Sequence, residues 1–231
     1  MRTWPIRILP MRGWVKPGLR WTWAALFAVS CVLVAAYAFA FLRYRPFDPD
    51  DPFMVRFALG GLAVPAHFFG AGLALLLVPL QASGWLRRRW PTLHRIGGGL
   101  SAGGILIAGL GGLVMATQSH RGWVTGVGFA ILALLWLAVT GLGVAAAVRR
   151  DFAAHRRWML RSMALTTAAI TLRIMLPVGT GLLRLPFDTV YIAAAWTSWL
   201  FNLGVVEAWL RWPQWRARRP TQLRRVRSAH A

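Results

Sequence analysis

The sequence predicts an all-α, polytopic membrane helix bundle: six transmembrane helices with both termini in the cytoplasm. Three observations carry that prediction. Of 231 residues, 57% are apolar, above the 45–50% usual for a soluble domain. Six apolar runs are long enough to cross a bilayer core, which takes about 20 residues. The chain holds 27 Lys and Arg against 6 Asp and Glu, and most of the basic residues fall between alternate apolar runs, where short cytoplasmic loops concentrate positive charge. A net charge of +21 would otherwise suggest nucleic acid. That reading is rejected, because no soluble segment is long enough to fold a basic binding surface.

The first run spans Trp21 to Phe41 and follows Arg2, Arg7, Arg12, Lys16 and Arg20. A basic start before an apolar core resembles a signal peptide. The core is too long and no small-residue cleavage site follows, so a retained helix is expected. The second run is Phe57 to Leu80, the third Ile96 to Ala116, the fourth Trp123 to Val148, the fifth Trp158 to Leu183 and the sixth Thr189 to Leu210. Short connections make neighbouring helices antiparallel within one bundle. Residues 1–20 read as a basic cytoplasmic segment, 21–210 as the membrane domain and 211–231 as a basic cytoplasmic tail. The tails are expected to lie on anionic lipid headgroups.

Counting Lys and Arg by side orients the bundle. The N-terminal tail holds five, the loop between helices 2 and 3 four, the loop between helices 4 and 5 five and the C-terminal tail seven, twenty-one in all. The opposite side has five: Arg43, Arg45, Arg56, Arg121 and Arg184. The rich side is expected to be cytoplasmic, in the inner membrane of a bacterial cell. Trp21, Trp23, Trp85, Trp90, Trp158, Trp209 and Trp212 fall near that interface, the level amphipathic rings prefer.

Ionisable residues within a span are costly and usually face the bundle. His67 sits among Ala63, Gly70, Ala71 and Ala74 at helical spacing, a small-residue stripe suited to close helix contact. It reads either as a hydrogen-bonded core histidine or as an axial ligand or proton-relay group. His94 opens the third span and His155 precedes the fifth, so both sit at the cytoplasmic end. There they are interfacial loop residues or a pair of axial ligands. His120 lies at the other end of the third span. Gly104, Ala108 and Gly112 form one small-residue ladder and Gly99 with Gly103 another. Arg161 and Glu207 lie about one turn from the same end, so an ion pair between them is geometrically allowed, with Arg211 an alternative partner at i,i+4. Arg173 is expected to snorkel, to meet Asp188 or to bind an anionic group. Cys31 is the single cysteine, which excludes an intrachain disulfide. No hydrolytic or transferase motif is present, and no metal-binding motif identifies a metal.

Four segments resemble a family of bacterial membrane proteins, the domain-of-unknown-function family 2306. They are Ala66 to Gly70 running on to Pro79-Leu80-Gln81; His94 to Gly98; Leu134-Leu135-Trp136; and His155 to Ser162 continuing to Leu172-Arg173. That resemblance covers about residues 57 to 180 and implies architecture more than activity. The chain is more loosely similar to two-haem transmembrane cytochromes b, six-helix proteins with one histidine ligand on each of four consecutive helices. This similarity implies haem b as cofactor and an electron-donating redox partner. His94 and His155 would form the cytoplasmic site, His67 and His120 the other, and Arg161 and Arg173 would meet propionates. The histidine spacings here, 27 and 26 residues, are shorter than in those proteins. The competing expectations are a small-molecule transporter with a polar His/Arg/Glu cavity and a non-catalytic assembly or scaffold protein.

The charge count predicts that a reporter active only outside the cytoplasm, fused after Ala231, is silent. Activity of that fusion overturns the orientation.

Overall fold

The computed structural model describes residues 17–44, 50, 54–55 and 59–217. The basic residues Arg2, Arg7, Arg12 and Lys16, the loop residues Arg45, Asp48, Asp51 and Arg56, and the tail from residue 218 with His230 lie outside the described residues. The described chain is helical with no strand. Its elements are α1 (Pro17–Tyr44), α2 (Ala63–Ala82), α3 (Gly84–Arg89), α4 (Pro91–Thr117), α5 (Trp123–Val148), α6 (Phe152–Thr166), α7 (Ala168–Pro177), a π turn (Val178–Leu182) and α8 (Phe187–Ala217). Six stretches are long and apolar enough to cross a membrane; α6, α7 and the π turn together make the fifth. In hydrocarbon every backbone polar group must be paired within the protein, and a helix does this by itself. The leucine, valine and phenylalanine faces left outside the bundle contact lipid.

Local chemistry sets the ends of these helices. Asp151 accepts a hydrogen bond from the Ala154 amide at 2.9 Å and so caps α6. Ser83 caps α3 by accepting from the Leu86 amide at 3.2 Å. Pro91 opens α4, where its missing N–H leaves no partner wanting. Gly61, at φ +51°, lies in a backbone region that side chains disfavour, and α2 starts two residues later. The second span thus begins at Ala63 and not at Phe57, which places His67 four residues into its helix. Pro65 falls in the first turn of α2, where its missing N–H leaves no helical hydrogen bond unmade. The sixth helix continues to Ala217, past the predicted end at Leu210. The fifth span starts at Phe152, six residues before Trp158, because the Asp151 cap starts the helix.

Packing follows chain order: α2 lies on α1 and α4, α5 on α4 and α6, and α8 returns against α5, α6 and α7. The main core joins Ala74, Ile105, Ala108, Trp136, Leu165 and Trp199 from five spans. Cys31 is buried against Leu75 and Val78, so it faces a neighbouring helix. The closest approach is between α2 and α4. A Cβ on Gly104 would stand 2.9 Å from the Gly70 carbonyl oxygen, and one on Gly111 would stand 2.7 Å from that of Ala63. Gly99 and Gly103 meet nothing within 4 Å. Of the two ladders, the one through Gly104, Ala108 and Gly112 therefore serves the contact, together with Gly111, and the Gly99–Gly103 pair faces away from it.

Polar bridges between spans supplement this packing. The Trp136 indole N–H donates to Thr166 Oγ1 at 3.0 Å, and the hydroxyls of Thr140 and Ser162 bond at 2.7 Å. The fifth span breaks at Thr167. There Asn202 of α8 donates to the Ala164 carbonyl at 3.2 Å and accepts from the Thr171 hydroxyl at 2.9 Å. The break is thereby supplied with partners from the neighbouring helix.

Gly70→Val is expected to lower stability by about 1–3 kcal/mol, as overpacking of a filled site does. Gly103→Ala is expected to change it by less than about 0.5 kcal/mol. Thermal unfolding of both variants in one detergent checks this; equal melting temperatures contradict the assigned faces.

Candidate functional site

The bundle surrounds a partly open cavity of about 950 Å³ toward the end opposite the arginine-rich loops. Its walls come from α1, α2, α4, α5, the fifth span and α8. Most of the lining is aromatic or aliphatic, including Phe41, Phe68, Phe129, Leu132 and Leu172. The polar exceptions are few: His67, His120, Arg173, Gln118 and several hydroxyls.

His67 reaches the cavity from the second turn of α2. Its Nδ1 lies 2.8 Å from the Ala108 carbonyl oxygen, which can only accept, so Nδ1 carries a proton and donates. In the neutral ring this leaves Nε2 with its lone pair. Gly111 and Gly112 make room for the ring; a Cβ on Gly112 would lie 3.2 Å from Nδ1.

Arg173 projects from α7 into the same cavity, near enough to act electrostatically on His67. Its guanidinium donates to the Ala169 carbonyl at 3.2 Å and stacks over the Tyr37 ring at 4.9 Å. Among the described residues it forms no ion pair with a carboxylate. A cation over an aromatic face gains about 0.5–2 kcal/mol. That falls short of the cost of a central arginine in a membrane helix, about 2.5–3.5 kcal/mol on an insertion scale. Asp188, one predicted partner, is held elsewhere.

His120 lines the cavity from the turn that follows the end of α4 at Thr117. Its Nε2 lies 3.0 Å from Asp188 Oδ1, while Arg121 holds Oδ2 of the same carboxylate at 3.2 Å. Phe187 and Tyr191 each pack edge-on against its ring. The rim is thus a closed His–Asp–Arg cluster on an aromatic floor. His67 and His120 share one cavity at different levels.

The remaining predicted residues lie at the arginine-rich end. Arg161 Nε meets Glu207 Oε1 at 2.5 Å and its second nitrogen meets Oε2 at 3.1 Å. Arg211 adds a contact to Glu207 at 3.5 Å. The Arg161 guanidinium also stacks on Trp158 at 4.9 Å. This bidentate pair lies outside the cavity lining. His155 Nδ1 donates to the Gly143 carbonyl at 2.8 Å. His94 faces Gln81: with the amide turned so that its nitrogen meets acceptors and its oxygen a donor, the nitrogen would donate to His94 Nδ1 at 2.8 Å and the oxygen would accept from the Gly98 amide at 3.2 Å. A ring that accepts at Nδ1 carries its proton on Nε2 when neutral. Neither His94 nor His155 borders the cavity.

Ser198 and Tyr37 are functional candidates the sequence reading passed over. Ser198 is 0% exposed and borders the cavity, yet its Oγ has no hydrogen-bond partner among the described residues. A signal existed in α8, since Phe187, Tyr191 and Ser198 recur at helical spacing and all line the cavity. No corresponding sequence signal marks Tyr37.

Because Arg161 and Glu207 are three-quarters buried, Glu207→Ala is expected to cost about 1.5–3 kcal/mol, the range for hydrogen bonds to charged groups. A double-mutant cycle with Arg161→Ala in thermal or denaturant unfolding checks it. A coupling energy near zero contradicts a stabilising pair.

No curated protein and no solved structure matches the chain. Residues 64–210 match the model of a family described as predicted membrane proteins, DUF2306. That match takes in α2 to most of α8, and with them nearly all of the cavity wall. The chain therefore belongs to the DUF2306 family of membrane proteins.

Proposed function

We propose that the protein is a membrane-embedded small-molecule binder that draws an apolar ligand from the bilayer into the cavity. The carrying observation is the cavity itself. Its volume of about 950 Å³ lies within the range of ligand sites, as does its composition of mostly apolar walls with a few convergent polar groups. An unfilled space of that size would forfeit dispersion contacts along its whole lining. The unpartnered Ser198 hydroxyl supports an occupant as well, since a buried polar group without a partner costs about 1–3 kcal/mol. The polar cavity groups are His67, His120 and Arg173; Arg161 and Glu207 serve stability. By charge asymmetry the cavity belongs to the non-cytoplasmic half of a bacterial inner membrane, and the basic tails rest on anionic headgroups.

A second reading, haem b and electron transfer to a redox partner, is favoured by His67 alone. Histidines that ligate iron donate their other ring nitrogen to a carbonyl or carboxylate, as His67 does to Ala108. Arg173 would then meet a propionate. The four-histidine arrangement fits less well: Asp188 engages His120 Nε2, His94 and His155 do not border the cavity, and Glu207 saturates Arg161.

A photoactivatable long-chain alcohol bearing a diazirine, added to the protein in nanodiscs, is expected to label cavity residues such as Leu132 and Leu172. Leu176→Trp, which narrows the cavity, is expected to reduce that labelling and spare the lipid-facing surface. Labelling confined to the lipid-facing surface rejects the binding reading. Oxidised and dithionite-reduced spectra test the second reading: haem b requires a Soret band that His67→Ala removes, and no band after expression with ample haem excludes it.

A further inference from the structure

Resting on the cavity reading, we infer that its ligand is a long-chain carboxylic acid whose head group is held between Arg173 and His67. The two side chains offer complementary chemistry in one apolar chamber. Arg173 contributes a fixed positive charge and five N–H donors, of which one is given to the Ala169 carbonyl. His67 contributes an acceptor, Nε2, because Nδ1–H is committed to Ala108. A carboxyl group matches both, in the acid form by donating its O–H to Nε2 and accepting from the guanidinium. In the ionised form its two oxygens accept the planar fork of Arg173 in parallel.

The count of cations selects the charge of the head. Among the described cavity-lining residues Arg173 is the one Arg or Lys, and none of them is Asp or Glu. Nearby, the rim histidine is already bound to Asp188. One guanidinium balances a monoanion and leaves a phosphate dianion half-compensated in a medium where unpaired charge is costly. An amine would meet Arg173 as a like charge.

The shape of the chamber selects the body. On α8 the lining runs from Phe187 to Ser198, and on the fifth span from Leu165 to Pro177. By helical rise each is roughly 16–18 Å. Arg173 stands in the upper part of that length, and the walls below it include Trp136, Leu165 and Ala168. An aliphatic chain extended from the head group toward Trp136 would lie against apolar side chains throughout.

The test uses the full chain in nanodiscs and two diazirine probes of equal length, a palmitic acid and its alcohol. The acid is expected to label cavity residues at least about tenfold more efficiently, the factor a charge-assisted hydrogen bond confers. Arg173→Gln is expected to bring the acid down to the level of the alcohol. Arg173→Lys should keep part of the preference. Surface labelling in each variant reports an intact fold; a variant that loses it is replaced by competition on the unaltered protein. There, palmitate should displace the acid probe at least about tenfold better than hexadecyl phosphate or hexadecylamine. Equal cavity labelling by acid and alcohol overturns the carboxylate inference while leaving the binder reading intact. Better competition by the phosphate or the amine overturns it too. No cavity labelling by either probe removes the binder reading itself.

Discussion

The crossing of α2 and α4, backbone against backbone, is the contact on which the rest of the molecule depends. Lipid tails are as apolar as leucine, so helices in a bilayer gain little from hiding apolar surface from one another. Close approach and directed polar contacts must hold them instead. Gly70, Gly104 and Gly111 permit that approach. It carries His67 to the Ala108 carbonyl, and the hydrogen bond there fixes which ring nitrogen faces the cavity. With α2 and α4 drawn together on this side, the cavity opens between them and the fifth and sixth spans. A wider crossing would separate His67 from its acceptor and leave its proton position undetermined.

Two arginines on the fifth span show how environment divides one residue type between stability and recognition. Arg161 has a bidentate carboxylate partner and an aromatic neighbour near the arginine-rich end. Its charge is compensated and its donors are largely used. Arg173, in the apolar interior, has a carbonyl and a tyrosine ring. Neither neutralises it. Pro177 ends α7 four residues beyond, cannot donate to the Arg173 carbonyl, and is followed by a π turn. Departures from regular helix of this kind tend to occur at functional sites, and here one borders the cavity.

Residue types and spacing were enough to read much of the architecture. Apolar length marked all six spans, since the bilayer's thickness imposes one requirement on each. The position of Glu207 one turn from Arg161's end made their pairing foreseeable, because helical rise converts sequence offset directly into depth. His67 was legible as an inward residue from the alanines and glycines around it. The glycines of α4 were less so. Both ladders have the same spacing, and only the partner helix distinguishes the one that packs from the one that does not.

By itself the sequence determined the number and apolar character of the spans and the asymmetry of charge between their two ends. These follow from single-helix properties: length, hydropathy and the position of arginine. The tertiary structure decided which polar groups meet. Asn202 supplied the break at Thr167 with partners from the sixth span, and Ala108 fixed the ring of His67. Whether Arg173, His120 or Ser198 has a partner depends on neighbours far away in the chain, which the period of one helix does not encode. For that reason the six spans could be read in order, while the cavity between them became visible only once they were packed.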